Sequence, residues 1–138
     1  EFRYVLLMRA DSPLAALEAL TYDDLRRYME VAHADPSDPS LPIGDDKKED
    51  ACETPGRRIY VFERASQFSL LSENPDTFMW VSPVPKSMLD RYGLVERECA
   101  SDRGVYKDVF IHRKDYTLTP LDNAFIEHLI RVKRETIH

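Results

Sequence analysis

Residues 58–85 read RIYVFERASQFSLLSENPDTFMWVSPVP. Two short apolar runs, Ile59 to Phe62 and Phe78 to Val81, enclose a segment of helical character. Neither run alternates apolar with polar residues, which is the pattern of a strand covered on both faces. Between them, Ala65 to Asn74 predicts a short helix with Ser66 as its cap. Asn74-Pro75 ends that helix, because a residue before proline avoids the helical region. Ser82-Pro83-Val84-Pro85 then forces a turn. Strand, helix and strand with short connections form the repeating unit of a parallel sheet.

The same reading extends in both directions. Tyr4 to Met8 is another unalternating strand, broken by Asp11-Ser12-Pro13. Leu14 to Leu20 predicts a turn of helix. Thr21 can cap a helical stretch to Tyr28, with Asp23 and Asp24 near its positive end. Met29 to Ala32 reads as a short strand. Toward the C-terminus, Lys86 to Tyr92 predicts a helix stopped by Gly93. Val105 to Ile111 predicts a further strand. Thr119-Pro120 opens the last helix, where the missing N–H of proline costs nothing. The interval 35–57 differs, with four prolines and the charged run Asp45 to Asp50; it reads as a surface excursion. The expected class is α/β, a mainly parallel sheet flanked by helices, with no internal repeat. In such sheets ligands bind beyond the carboxyl ends of the strands.

Composition narrows the function. The chain has 138 residues, 43% apolar and 32% charged, which is globular composition. With 19 Lys and Arg against 25 Asp and Glu, the net charge is −6. That balance does not suit binding to nucleic acid, which needs clustered positive charge. No apolar run approaches the roughly 18 residues of a membrane span, and no signal peptide opens the chain. The first residue is Glu1 rather than Met, so a piece of a longer protein is expected. Cys52 and Cys99 are too few and too far apart for a zinc site, and reduced thiols in a cytoplasmic protein are expected. Glycine-rich phosphate loops, nucleophile elbows and zinc-helix motifs are absent. The four histidines, His33, His112, His128 and His138, are scattered. No enzymatic activity, metal or cofactor is predicted.

Several segments together resemble a family. Arg58 to Phe62, Ala65 to Leu71 and Met79 to Pro83 look like the second lobe of the effector-binding domain of LysR-type transcriptional regulators. Val109 to Asp115, Leu118-Thr119-Pro120 and Ala124-Phe125-Ile126 resemble its closing strand, turn and helix. Ser12-Pro13-Leu14-Ala15 resembles the "histidine-proline-leucine-alanine" step of the family, with Ser12 in place of histidine. Leu20 to Leu25 resembles the helix start that follows. Another departure is Ser72 to Asp76, where the family often has a glycine-rich turn. The resemblance implies a periplasmic-binding-protein-like lobe in residues 1–104. It implies a segment, 105–138, that would return to a first lobe. It also implies a small-molecule effector, often a carboxylate in this family, and DNA contact only through a domain outside this chain. The rival readings are a ligand-binding lobe of a solute-binding protein or of an enzyme with the same topology, and a stand-alone interaction module.

The start of the helix at Ala65–Ser69 is the strongest candidate for effector binding. Free N–H groups and the helix dipole favour an anion there. Arg64, Ser66, Gln67 and Ser69 add charge and donors. The alternative is that Ser66 merely caps the helix. Ser82 ends a strand on the same expected edge, and so do Trp80 and Pro83, although Trp80 suits the core better. His33, with Asp35, follows another strand and is a further candidate; an ordinary loop is the alternative. His128 reads as a packed histidine, and Asp45 to Asp50 as a solvated charge run. The last helix sets Leu121, Ala124, Phe125, His128, Leu129 and Val132 on one face, with Ile126 and Ile130 beside them. That face needs a partner. Self-association through 105–134 is expected, unless the helix folds back on the chain's own sheet.

Overall fold

A computed structural model describes residues 1–33 and 57–136. The charged excursion, Asp35, Cys52 and His138 lie outside the described residues. Five strands form one sheet: β1 (Val5–Arg9), β2 (Met29–His33), β3 (Arg57–Val61), β4 (Thr77–Val81) and β5 (Leu94–Arg97). The spatial order is β3-β2-β4-β1-β5. β2 pairs parallel with β3 and β4, while β1 pairs antiparallel with β4 and β5. Four strands therefore share one direction, and β1 alone runs against them. The predominantly parallel expectation holds for strand direction, within a mixed sheet.

Both faces of this sheet are covered at β1 and β4, which explains their unalternating apolar runs; the expectation fails for Ile59 to Phe62, because β3 is an edge strand with no buried residue. Val5 and Leu7 of β1, with Met79 and Val81 of β4, face a layer that includes Phe68 and Leu71. Those two belong to α2 (Arg64–Glu73). Leu6 and Met8, with Phe78, face the opposite layer of Leu14, Leu20 and Leu25. Successive side chains of a strand alternate between faces, so one run of leucine and methionine fills two half-cores. Leu6, Leu7 and Met8 are entirely buried. Trp80 packs on the second half-core beside Tyr22, partly buried, in line with its expected core role.

The local signals acted mostly as expected. Ser12 is buried and its hydroxyl donates to the Pro75 carbonyl at 2.7 Å, tying the first turn to the end of α2. A 3₁₀ turn at Pro13–Ala16 is the expected turn of helix. Thr21 caps α1 (Tyr22–Leu25) through a capping box with Asp24. The Thr21 amide and hydroxyl donate to the Asp24 carboxylate at 2.9 and 2.6 Å. α1 is shorter than the predicted stretch to Tyr28. α3 (Lys86–Tyr92) ends at Gly93, whose φ of 64° is the left-handed geometry that glycine tolerates.

Two expectations fail. Ser66 does not cap α2; the cap position is Glu63, and Ser66 lies in the first turn, its hydroxyl donating to the Glu63 carboxylate at 3.4 Å. The helix simply starts one residue earlier. Val105 to Ile111 is not a strand. Only Tyr106 is bridged, by two backbone hydrogen bonds to Phe2 of 2.9 and 2.8 Å. A β-rich composition makes a strand only where an edge is available to pair with, and past Tyr106 no described strand lies alongside it.

α4 (Pro120–Thr136) has no buried residue. It does not fold back onto the sheet. Its cap repeats the chemistry of α1: the Thr119 amide and hydroxyl donate to Asp122 at 2.8 and 2.7 Å. Tyr116 Oη donates to the same carboxylate at 2.6 Å, and Lys133 binds Asp108. The segment from Asp108 to Tyr116, which turns at Lys114-Asp115, therefore touches α4 near both of its ends.

Candidate functional site at the carboxyl edge of the sheet

The strand register defines one edge. His33 stands opposite Val61, and Val5 opposite Val81. The ends of β2, β3, β4 and β5 thus lie beside the start of β1. His33 ends β2 and is exposed. Arg64 opens α2 three residues beyond β3, and Ser82 follows β4. The topology gathers His33, Arg64, Ser66 and Ser82 at this edge. Ser69 falls outside the ring of free N–H groups; it sits past the first turn and its hydroxyl donates to the Ala65 carbonyl at 3.3 Å.

The start of α2 is less bare than its sequence implies. Glu63 precedes it and holds Ser66. A negatively charged side chain at a helix N-terminus is stabilised by the dipole, so an incoming anion meets the Glu63 charge there, although the Glu63 side chain caps none of the N–H groups. Arg64 supplies positive charge from an exposed position.

Gln67 is the unusual residue. It is fully buried, and neither its amide nitrogen nor its amide oxygen has a hydrogen-bond partner among the described residues. Buried polar groups are nearly always paired, because an unpaired one forfeits its hydration. Sequence reading placed Gln67 among the surface donors, whereas it lies in the layer between α2 and the sheet.

The edge also holds residues that sequence reading passed over. Phe62 follows β3 and is 59% exposed. Phe2, Tyr4 and Tyr106 cluster before β1, with the Tyr4 and Tyr106 rings 4.4 Å apart. Lys133 stands 5.5 Å over the Phe2 ring, a cation–π distance that carries α4 to this cluster. Burial raises the Tyr106 phenol pKa, assisted by the negative charge of Asp102. Nothing in the spacing of isolated aromatics could have announced this cluster.

One ion pair and one arginine bound to backbone carbonyls stabilise the body. Arg58 Nε donates to the Glu30 carboxylate at 2.7 Å across the β2–β3 pair. Burial opposes the charge on Arg58, but Glu30 and Tyr60 together outweigh it and the Arg58 pKa is raised. Arg97 at the end of β5 donates to the carbonyls of Ala15, Leu17 and Glu18 and so pins the first turn. Among the described residues no group of three or more His, Cys, Asp or Glu could hold a metal ion. No described helix is long and apolar enough to cross a membrane.

No family model and no curated protein matches the chain. Solved structures do. The effector-binding domain of QuiR, in complex with shikimate, superposes with a TM-score of 0.56 at 15% identity, covering 99% of this chain and 64% of that one. The regulatory domain of MetR, a LysR family regulator from N. meningitidis, gives a TM-score of 0.55 at 16% identity, covering 73% of this chain and 46% of that one. The chain therefore spans less than two thirds of either domain. The likeness establishes the fold: that of LysR effector-binding domains, a mixed α/β sheet flanked by helices.

Proposed function

We propose that this chain is the effector-sensing part of a LysR-type transcriptional regulator. Residues 1–104 form the second lobe of its effector-binding domain, and 105–138 the segment that returns to the first. One observation carries the reading: four co-directional strands and one reversed strand, in the fold of LysR effector domains, present Arg64, Ser66, His33 and Ser82 at a single edge. The QuiR domain holds shikimate, which supports a small-molecule effector here as well. A small carboxylate suits the start of α2, where N–H groups and Arg64 meet. Buried Gln67 lies behind this helix start, its amide out of contact with solvent. The protein works in the cytoplasm and catalyses no reaction. An effector that prefers one packing of the lobes shifts the assembly toward it, and DNA is touched only by another domain of the parent protein.

Titration of the amide NMR spectrum with shikimate and with a panel of small carboxylates tests this. Saturable shifts confined to 61–68, His33 and Ser82, lost in Arg64→Ala, are expected. Shifts spread over the surface, or centred at the opposite edge near Arg9, would overturn the reading.

A further inference from the structure

We propose that α2 is a hinged element, whose first turn, Arg64–Gln67, opens away from the sheet while its far end stays fixed. The two ends of the helix are held very differently. At the C-terminal end, the Asn74 side-chain amide donates to the Leu70 carbonyl at 2.8 Å, and the Thr77 hydroxyl to the Asn74 carbonyl at 2.7 Å. The Ser12 hydroxyl holds the Pro75 carbonyl, and the Met29 amide holds that of Asp76 at 2.9 Å. Thr77 begins β4 and Met29 begins β2, so this end is tied to the middle of the sheet.

The N-terminal end has few ties. The Glu63 side chain caps no N–H group. The backbone bond from the Gln67 amide to the Glu63 carbonyl is 3.2 Å, at the long end of the usual range. The chain enters from β3, an edge strand with no buried residue, through exposed Phe62 and Glu63. Arg64, Ala65 and Ser66 are exposed as well. Only Gln67 of this turn enters the layer above the sheet, and its amide is unpaired there. A buried apolar side chain would hold the turn down. A buried unpaired amide does the reverse, because water satisfies it once the turn opens. Phe68, stacked on Tyr92 with ring centroids 5.4 Å apart, and Leu71 are the buried apolar side chains of α2. They set the pivot at Phe68. Segments with so little apolar burial are those that open locally, ahead of the whole fold. Arg64 and Ser66 ride on the opening turn, so the carboxyl edge has a formed and a dispersed state. A molecule that needs the edge formed draws the population toward closure. That consequence rests on the sensing function proposed above, whereas the opening belongs to the free chain.

Native-state hydrogen exchange on the full 138-residue chain, with no ligand added, is the test. The Gln67 and Phe68 amides should open at least tenfold more often than the Met29 amide and the amides of β1. Gln67→Leu should slow exchange at residues 67 and 68 at least tenfold, since opening no longer hydrates a stranded amide. Gln67→Met should act alike, which frees the result from how well leucine fits. Opening of residues 67 and 68 only together with β1 would show a single cooperative unit and overturn the proposal. Exchange that both variants leave unchanged would overturn it too, being end fraying in which residue 67 never leaves the layer. Titration with shikimate and the carboxylate panel reads the sensing function separately, and its failure would leave the exchange result standing.

Discussion

The sheet-bearing body and the α4 tail start their helices with the same device and come to opposite ends. Thr21 and Asp24 form one cap, Thr119 and Asp122 the other, with matching hydrogen bonds. Behind the first cap is a helix of four residues whose Leu25 is buried in the core. Behind the second is a helix of 17 residues with no buried side chain. Local chemistry starts a helix, but tertiary packing supplies most of its stability. The difference shows which part of this chain packs against itself and which part leaves its apolar side chains exposed.

Substitutions should separate the two regions by size of effect. Leu7→Ala should destabilise the body by about 2–5 kcal/mol in urea unfolding, because Leu7 is wholly enclosed and leaves a cavity. If the loss were under about 0.5 kcal/mol, the sheet would not be the cooperative core. Gln67→Leu works in the other direction. Removing an unpaired buried amide should raise stability by roughly 1–3 kcal/mol in the same unfolding measurement. Ser12→Ala should cost about 1 kcal/mol by stranding the Pro75 carbonyl. Phe125→Ala should change the unfolding free energy of the body by less than about 0.5 kcal/mol, as for surface positions without special contacts. A larger effect would mean that α4 does support the sheet.

The subtlest comparison concerns pH. The Thr21 hydroxyl and amide hold the Asp24 carboxyl below the ordinary range, and Tyr116 with Thr119 does the same for Asp122. Each folded pKa is depressed, so each cap contributes stability above the unfolded value of roughly 3.9 and loses it as pH falls through the folded value. Carboxyl chemical shifts followed by NMR should titrate below pH 4 for both groups. The Asp24 titration should accompany partial loss of the α1 signals, and the Asp122 titration fraying of α4 alone. Asp122→Asn should remove the latter dependence and leave the former.

Much of the body could be read in the sequence because its sheet is buried on both faces. Tyr4 to Met8 and Phe78 to Val81 are continuous apolar runs for that reason, whereas Ile59 to Phe62 is apolar on an edge strand that leaves Ile59 and Phe62 exposed. β5 escaped notice because it is an edge strand: Leu94 is buried, but Glu96 and Arg97 face loops and use their side chains there. The misplaced strand at 105–111 shows the reverse error, in which β-rich composition was read without asking what edge could receive it. Of the candidate site, the carboxyl edge followed from topology, and His33, Arg64, Ser66 and Ser82 with it. The burial of Gln67 and the aromatic cluster of Phe2, Tyr4 and Tyr106 depend on contacts between distant segments, which no local pattern encodes.

The bridge between Phe2 and Tyr106 has a consequence for how this body can be handled. Chain entry and chain exit stand side by side, roughly 5 Å apart as in any antiparallel pair. A unit with adjacent ends can be spliced into a surface loop of an unrelated host without prising that loop open. The segment from Phe2 to Tyr106 is thus a natural cassette: transplanted whole, it should bring its sheet and its carboxyl edge along, and leave α4 behind.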